Sequence, residues 1–236
     1  MTKLTQLTAI IAVAGSVVFN PSFAYDGGDV VFRVGVANVQ PDDSSDPLTL
    51  NGTELSNLGL GLPVTTLQVD DNAQLGLTIT YMYSSNWGIE VLAATPFSHE
   101  ISANALGVKA GETKHLPPTV SLQYYPAGAG SDVQPYFGIG LNYTTFFSEE
   151  VDSQLNGALA GLGATGNATL SLDDSFGLAL EAGIDFKLND NWVFNGVLWY
   201  VDIETSADIT VPGLGKMATD VTIDPLVLML SFGRLF

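Results

Sequence analysis

Phe176-Gly177-Leu178-Ala179-Leu180-Glu181-Ala182-Gly183-Ile184-Asp185-Phe186 decides how this chain folds. On an extended backbone Leu178, Leu180, Ala182, Ile184 and Phe186 fall on one side, opposite Gly177, Ala179, Glu181, Gly183 and Asp185. An apolar face against a small or polar one, at period two, marks a half-buried strand. Phe137, Ile139, Leu141 and Tyr143 alternate in the same way with Tyr136, Gly138, Gly140 and Asn142. So do Ile89, Val91 and Ala93 with Gly88, Glu90, Leu92 and Ala94, and Leu226, Leu228, Leu230 and Phe232 with Val227, Met229, Ser231 and Gly233. The pattern occurs near 29–39, 73–83, 87–97, 115–125, 134–147, 174–187, 192–204 and 219–236, which predicts eight strands.

The two faces then need assigning. A soluble barrel hides its apolar face and shows charge outside. Here the apolar face carries almost no charge, while the other is rich in glycine, as a narrow interior requires. The apolar face is therefore expected to meet lipid. Composition agrees: 46% of the 236 residues are hydrophobic and only 14% are charged. Residues 1–24 read as a cleaved secretory signal peptide, with Lys3, an apolar run from Leu7 to Phe19 and a small-residue site ending at Ala24. No later run is long and apolar enough for a spanning helix, which needs about 20 residues. The mature domain, 25–236, can span a membrane only as a closed barrel, in which every backbone group is satisfied.

The connections alternate in length, as in bacterial outer-membrane barrels with long outer loops and short periplasmic turns. The long ones lie at 40–72, 98–114, 148–173 and 205–218, and the short ones at 84–86, 126–133 and 188–191. Trp87, Tyr124, Tyr125, Trp192 and Phe236 are expected at the periplasmic rim, and Tyr143, Phe146, Phe147 and Tyr200 nearer the outer one. Glu149 to Gly161 has helical propensity. The expected fold is an all-β, up-and-down, eight-stranded antiparallel transmembrane barrel in the bacterial outer membrane.

Twenty-five acidic against seven basic residues give a net charge of −18, which argues against nucleic acid as a partner. With no cysteine there is no thiolate chemistry. His99 and His115 stand where strands three and four meet their outer loop, with Glu100 or Glu112 as a third ligand if a metal bound there. The alternative, solvated loop histidines, is favoured. Asp42, Asp43 and Asp46 lack the pattern of a helix-loop-helix calcium site and read as a solvated acidic loop. Ser98 and Ser102 have no evident oxyanion hole, so no enzyme activity and no cofactor are expected.

An eight-stranded barrel is barely wide enough for its own side chains. Counting along the strands puts Arg33, Glu90, Glu181, Asp185 and Gln123 inward in the periplasmic half. A polar plug is expected there, with Arg33 paired to Glu90 and Glu181, because a lone buried charge is costly. Leu92 and Trp199 face inward at similar mid-barrel height. Pro117 and Pro118 remove two backbone donors from strand four; they read either as the mark of a lateral exit or as an edge bulge.

Along these strands the sequence resembles the OmpW family of small outer-membrane proteins. The resemblance is carried by Gln74-Leu75-Gly76-Leu77-Thr78, Ala93-Ala94-Thr95-Pro96-Phe97, His115-Leu116-Pro117-Pro118-Thr119, Pro135-Tyr136 with Gly138 and Gly140, Asn142-Tyr143-Thr144-Thr145-Phe146-Phe147, Trp199-Tyr200 with Asp202-Ile203, and Asp224-Pro225. It implies an eight-stranded barrel with a largely hydrophobic lumen that passes small hydrophobic molecules. It also implies a lumen constriction of a Leu and a Trp, matched here by Leu92 and Trp199. The partners expected are outer-membrane lipids and lipopolysaccharide, small hydrophobic solutes, and a bacteriocin or phage at the loops. The competing expectation is a surface receptor or structural protein acting through its acidic loops. One departure is Arg234, two residues before Phe236, where the usual ending has an aromatic.

Overall fold

The computed structural model describes residues 25–127 and 131–236. The expected signal peptide, 1–24, lies outside the described residues. The barrel strands are β1 (Val30–Gln40), β2 (Asn72–Ser84), β3 (Trp87–Ala94), β4 (Thr119–Tyr124), β5 (Val133–Val151), β6 (Ser175–Lys187), β7 (Trp192–Val201) and β8 (Leu226–Leu235). All pair antiparallel. β1 joins β8 from Val31↔Leu235 to Gln40↔Leu226, and β4 joins β5 from Thr119↔Asn142 to Tyr124↔Phe137, so the sheet closes on itself. Closure leaves the eight strands without a free edge in the bilayer.

Alternation sets the two faces as the sequence reading had them. Ile79, Val91, Val120, Ile139, Leu180 and Leu230 are exposed on the outer wall, and Glu90, Tyr136, Asn142, Ala179, Asp185 and Met229 are buried inside. At the short-turn end Trp87, Tyr124, Trp192 and Phe236 stand outward, with the Trp87 and Tyr124 rings 4.8 Å apart. Arg234 belongs to the same belt. Its guanidinium lies 4.9 Å from the Phe236 ring centroid and 5.9 Å from that of Trp192. Cation–π contact thus accommodates the departure at the C-terminus. Tyr143 and Tyr200 are exposed towards the other end. Tyr125 and Phe146 were expected in these belts, but both point into the lumen, where each bulky ring fills interior space.

The long connections fold further than expected. Segments 98–114 and 205–218, read as loops, form the hairpins Phe97–Ala103/Val108–Leu116 and Glu204–Val211/Gly215–Thr222. They extend the barrel wall and enclose a second apolar core that includes Leu48, Leu67, Ile101, Ile209 and Met217. The helix α1 covers Ser153–Gly161, a shorter span than 149–161. The Asp152 side chain accepts from the Gln154 amide at 2.8 Å and sets its start. Leu155 and Leu159, one turn apart, bury its inner stripe.

Pro117 and Pro118 were expected inside strand four. They lie instead between Val108–Leu116 and β4, because neither has an amide to give a ladder. The effect is one-sided. Towards β5 the register continues from Thr119↔Asn142 to Thr145↔Leu116, while towards β3 it stops at Thr119↔Leu92 and resumes only at Phe97↔His115.

Close packing inside limits what the inner face tolerates. A Cβ on Gly183 would stand 2.2 Å from Cζ of Tyr136, so only glycine lets that ring lie flat against β6. On the outer wall the constraint is charge. Leu180→Arg should lower the free energy of urea unfolding in lipid vesicles by about 2–4 kcal/mol, whereas Leu180→Phe should change it little.

Candidate functional site in the barrel lumen

The lumen divides into layers. At the short-turn end sits the polar layer, built on Arg33 and Asp185, whose side chains are 1% and 0% exposed. Arg33 grips Asp185 with two parallel bonds, Nε to Oδ1 at 3.1 Å and Nη2 to Oδ2 at 2.6 Å. This fork adds both strength and orientation. Tyr25 donates to Asp185 Oδ2 at 2.7 Å and Asn195 donates to Oδ1 at 2.9 Å. Arg33 Nη1 reaches Thr80 Oγ1 at 2.8 Å and Glu90 Oε2 at 3.4 Å, and Thr80 also donates to Glu90 Oε2 at 3.0 Å. The guanidinium stands 5.7 Å over the Tyr136 ring, and Nη2 donates to the Tyr125 hydroxyl at 3.3 Å.

Arg33 and Glu90 are therefore in contact. The expected Arg33–Glu181 pair is not formed, because Asp185 takes the bidentate side of the guanidinium. Glu181 instead accepts from the Trp199 indole Nε1 at 2.5 Å. Trp199 is buried, and this bond fixes its ring. Glu181 thus belongs to the Trp199 layer. Leu92 is also buried and inward.

Above that layer the lining turns apolar. A cavity of about 20 Å³ is bounded by Leu92, Ala94, Phe97, His115, Pro117 and Val227, among others. Trp199 lies outside its lining, but its cross-strand partner Val227 is part of it. A second cavity, of about 30 Å³, continues outward past His99, Ile101, Phe146 and Val221. Val39, His115, Ile203 and Pro225 line both. Each volume is about that of one or two water-sized spheres, so side chains must move aside for any larger solute.

His99 and His115 were expected to be solvated loop residues. Both are buried, because 97–116 is a strand hairpin that continues the barrel wall and turns His99 and His115 inward. Their Nε2 atoms are 3.0 Å apart, and His99 Nδ1 donates to the Asp70 carbonyl at 2.6 Å. Glu100 and Glu112 point the other way and bind Lys109, so neither can join the histidines around a metal. Among the described residues no three His, Asp or Glu side chains gather as a metal cage. Among the described residues neither histidine bonds to Ser98 or Ser102. The charged residues outside this pair place it beyond the hydrocarbon zone. Burial lowers the pKa of His99, opposed by its bond to Asp70. Burial, helped by the neighbouring His99, pushes His115 down to about 3.

The OmpW family model matches residues 26–236. Outer membrane protein W of Vibrio cholerae is 45% identical, over 99% of this chain and 100% of that protein. The crystal structure of the outer membrane protein OprG from Pseudomonas aeruginosa superimposes with a TM-score of 0.79 at 43% identity, covering 90% of this chain and 98% of that one. The solution structure of Escherichia coli outer membrane protein W gives 0.54 at 39% identity, covering 90% and 100%.

Removing one member of the Arg33–Asp185 pair leaves the other buried and unpaired. Asp185→Ala should therefore lower unfolding stability in vesicles by about 3–5 kcal/mol, with Glu181→Gln milder. The histidines give a pH test. Unfolded histidines take up protons below about 6.5, whereas His115 in the fold resists until about 3. The unfolded chain thus binds more protons in between, and stability falls as pH falls through that window. From pH 6.5 to 5.5, where ordinary carboxylates stay ionised, the slope should approach about 1.4 kcal/mol per unit for His115. His115→Phe should flatten the urea-midpoint dependence over that range.

Proposed function

This chain belongs to the OmpW family of outer-membrane β-barrels, and we propose that it passes small apolar solutes through its upper lumen and releases them sideways into the bilayer. Solutes enter among the outer hairpins, descend past the shared lining of the two cavities, and stop at Leu92 and Trp199. Leu92 and Trp199 act as the constriction. The Arg33–Glu90–Asp185 layer beneath, with Glu181 holding Trp199, closes the route to the periplasm.

The observation that carries this reading is the position of the ladder gap. Between β3 and β4 the pairing is missing from above Thr119↔Leu92 up to Phe97↔His115. The residues bounding the gap, Leu92, Ala94, Pro117 and Thr119, also line the lower cavity. An apolar cavity thus abuts a stretch of wall that has no ladder pairing to break, and this supports Pro117 and Pro118 as the lateral exit. Each methylene favours hydrocarbon over water by about 0.8 kcal/mol, so a sideways path avoids the unfavourable step through an aqueous exit.

A second reading, a surface receptor for a bacteriocin or phage or a lipopolysaccharide-bridging protein, draws on the outer hairpins. Asp46, Asp173, Asp174, Glu204 and Asp220 line one open acidic cleft there. Replacing Asp46, Asp173, Asp174 and Glu204 by their amides should abolish that role and leave solute uptake unchanged, because none of the four lines the lumen cavities.

The passage reading is tested in vesicles reconstituted with the full chain. Trp199→Arg places a guanidinium at the constriction and should bring apolar-solute uptake down to the protein-free rate. Pro117→Thr with Pro118→Val restores two amide donors to the seam and should slow the same uptake several-fold. Unchanged rates in both folded variants would remove the constriction and the exit together.

A further inference from the structure

His115 carries a polar atom that its surroundings leave unanswered. The Asp70 carbonyl can only accept, so His99 Nδ1 bears the proton of a neutral ring and its Nε2 offers a lone pair. His115 Nε2, 3.0 Å away, must then donate, which leaves His115 Nδ1 as an acceptor. That nitrogen is buried without a hydrogen-bond partner.

The neighbouring hydroxyls are all committed elsewhere. Thr113 donates to the Lys114 carbonyl, Thr119 to the Pro117 carbonyl, Thr144 to Asn142 Oδ1 and Thr205 to the Asp173 carbonyl. Water is a poor occupant, because a buried water needs two to four polar partners and both cavities here have apolar linings. Burial keeps His115 neutral over the physiological range.

Resting on the proposed passage of apolar solutes, we infer that the His99–His115 pair selects among them, with His115 Nδ1 accepting a hydrogen bond from the hydroxyl of an unbranched primary alcohol. An alkane offers no donor. An aldehyde offers only an acceptor, which meets a lone pair. A carboxylate or ammonium would bring an unpaired charge into an apolar channel. An alcohol supplies one donor and stays neutral. His115 lines both cavities, so the hydroxyl is held midway along the path while the chain lies against the apolar walls.

The test uses the full chain in lipid bilayers with ¹⁵N-labelled histidine. Without solute, the His115 Nδ1 resonance should read as unprotonated and free of hydrogen bonds. Addition of 1-octanol should move it upfield, and n-octane should leave it in place. No movement with 1-octanol, equal movement with n-octane, or a nitrogen already hydrogen-bonded before any addition would each overturn the inference. This arm needs no variant, so misfolding cannot obscure it. In uptake, the ratio of 1-octanol to n-octane should be about threefold to tenfold higher for the natural chain than for His115→Phe, the gain of one hydrogen bond. Equal ratios would overturn the selection while leaving passage intact. Loss of n-octane uptake itself would count against the passage reading alone, with the spectral result still standing.

Discussion

Backbone hydrogen bonding in hydrocarbon constrains everything else in this molecule. Amides without water must pair with one another, and strands achieve this only by closing the sheet. Closure with eight strands fixes a radius at which side chains nearly fill the interior. Large side chains then pack against one another across the lumen, and glycines such as Gly183 stand where Tyr136 would otherwise collide. The site is shaped by this crowding. Its cavities are small, and its polar groups must find partners within the wall.

Charge inside so narrow a tube is tolerated because it is shared among strands far apart in sequence. Arg33 from β1 meets Asp185 from β6 and Glu90 from β3, with Tyr25, Thr80 and Asn195 completing the shell. Taking ions out of water is costly, and only close hydrogen-bonded geometry offsets it. Such a layer ties the strands together at one height and sets a polar floor under the apolar segment. The bond from Trp199 to Glu181 couples that floor to the aromatic side chain above it.

The upper lumen follows a different logic. There the outer hairpins prolong the wall beyond the bilayer and carry their own apolar core. The two cavities lie where that core meets the barrel proper. The proline pair interrupts the ladder at the same height, so apolar lining and weakened pairing coincide. That coincidence, rather than either feature alone, is what the proposed sideways route rests on.

Period-two alternation in a single strand was enough to assign residues inward or outward, because the side-chain direction of an extended chain is a local property. Eight strands, the lipid-facing role of Leu180 and Leu230, and the inward placement of Leu92, Trp199, Arg33 and Glu90 were legible on that ground. Length alone hid the outer hairpins: Ser98-His99-Glu100-Ile101-Ser102 alternates as clearly as any barrel strand, but it lies in the segment 98–114, whose length reads as a loop. The partners inside were not legible. Whether Arg33 meets Glu181 or Asp185, and whether His99 faces solvent or His115, depends on position around the barrel. That angle is set by closure and by the stagger between non-consecutive strands, which no local pattern encodes. Sequence determined the face of most barrel residues, Tyr125 and Phe146 excepted; the tertiary structure decided which residues at one height touch across the lumen.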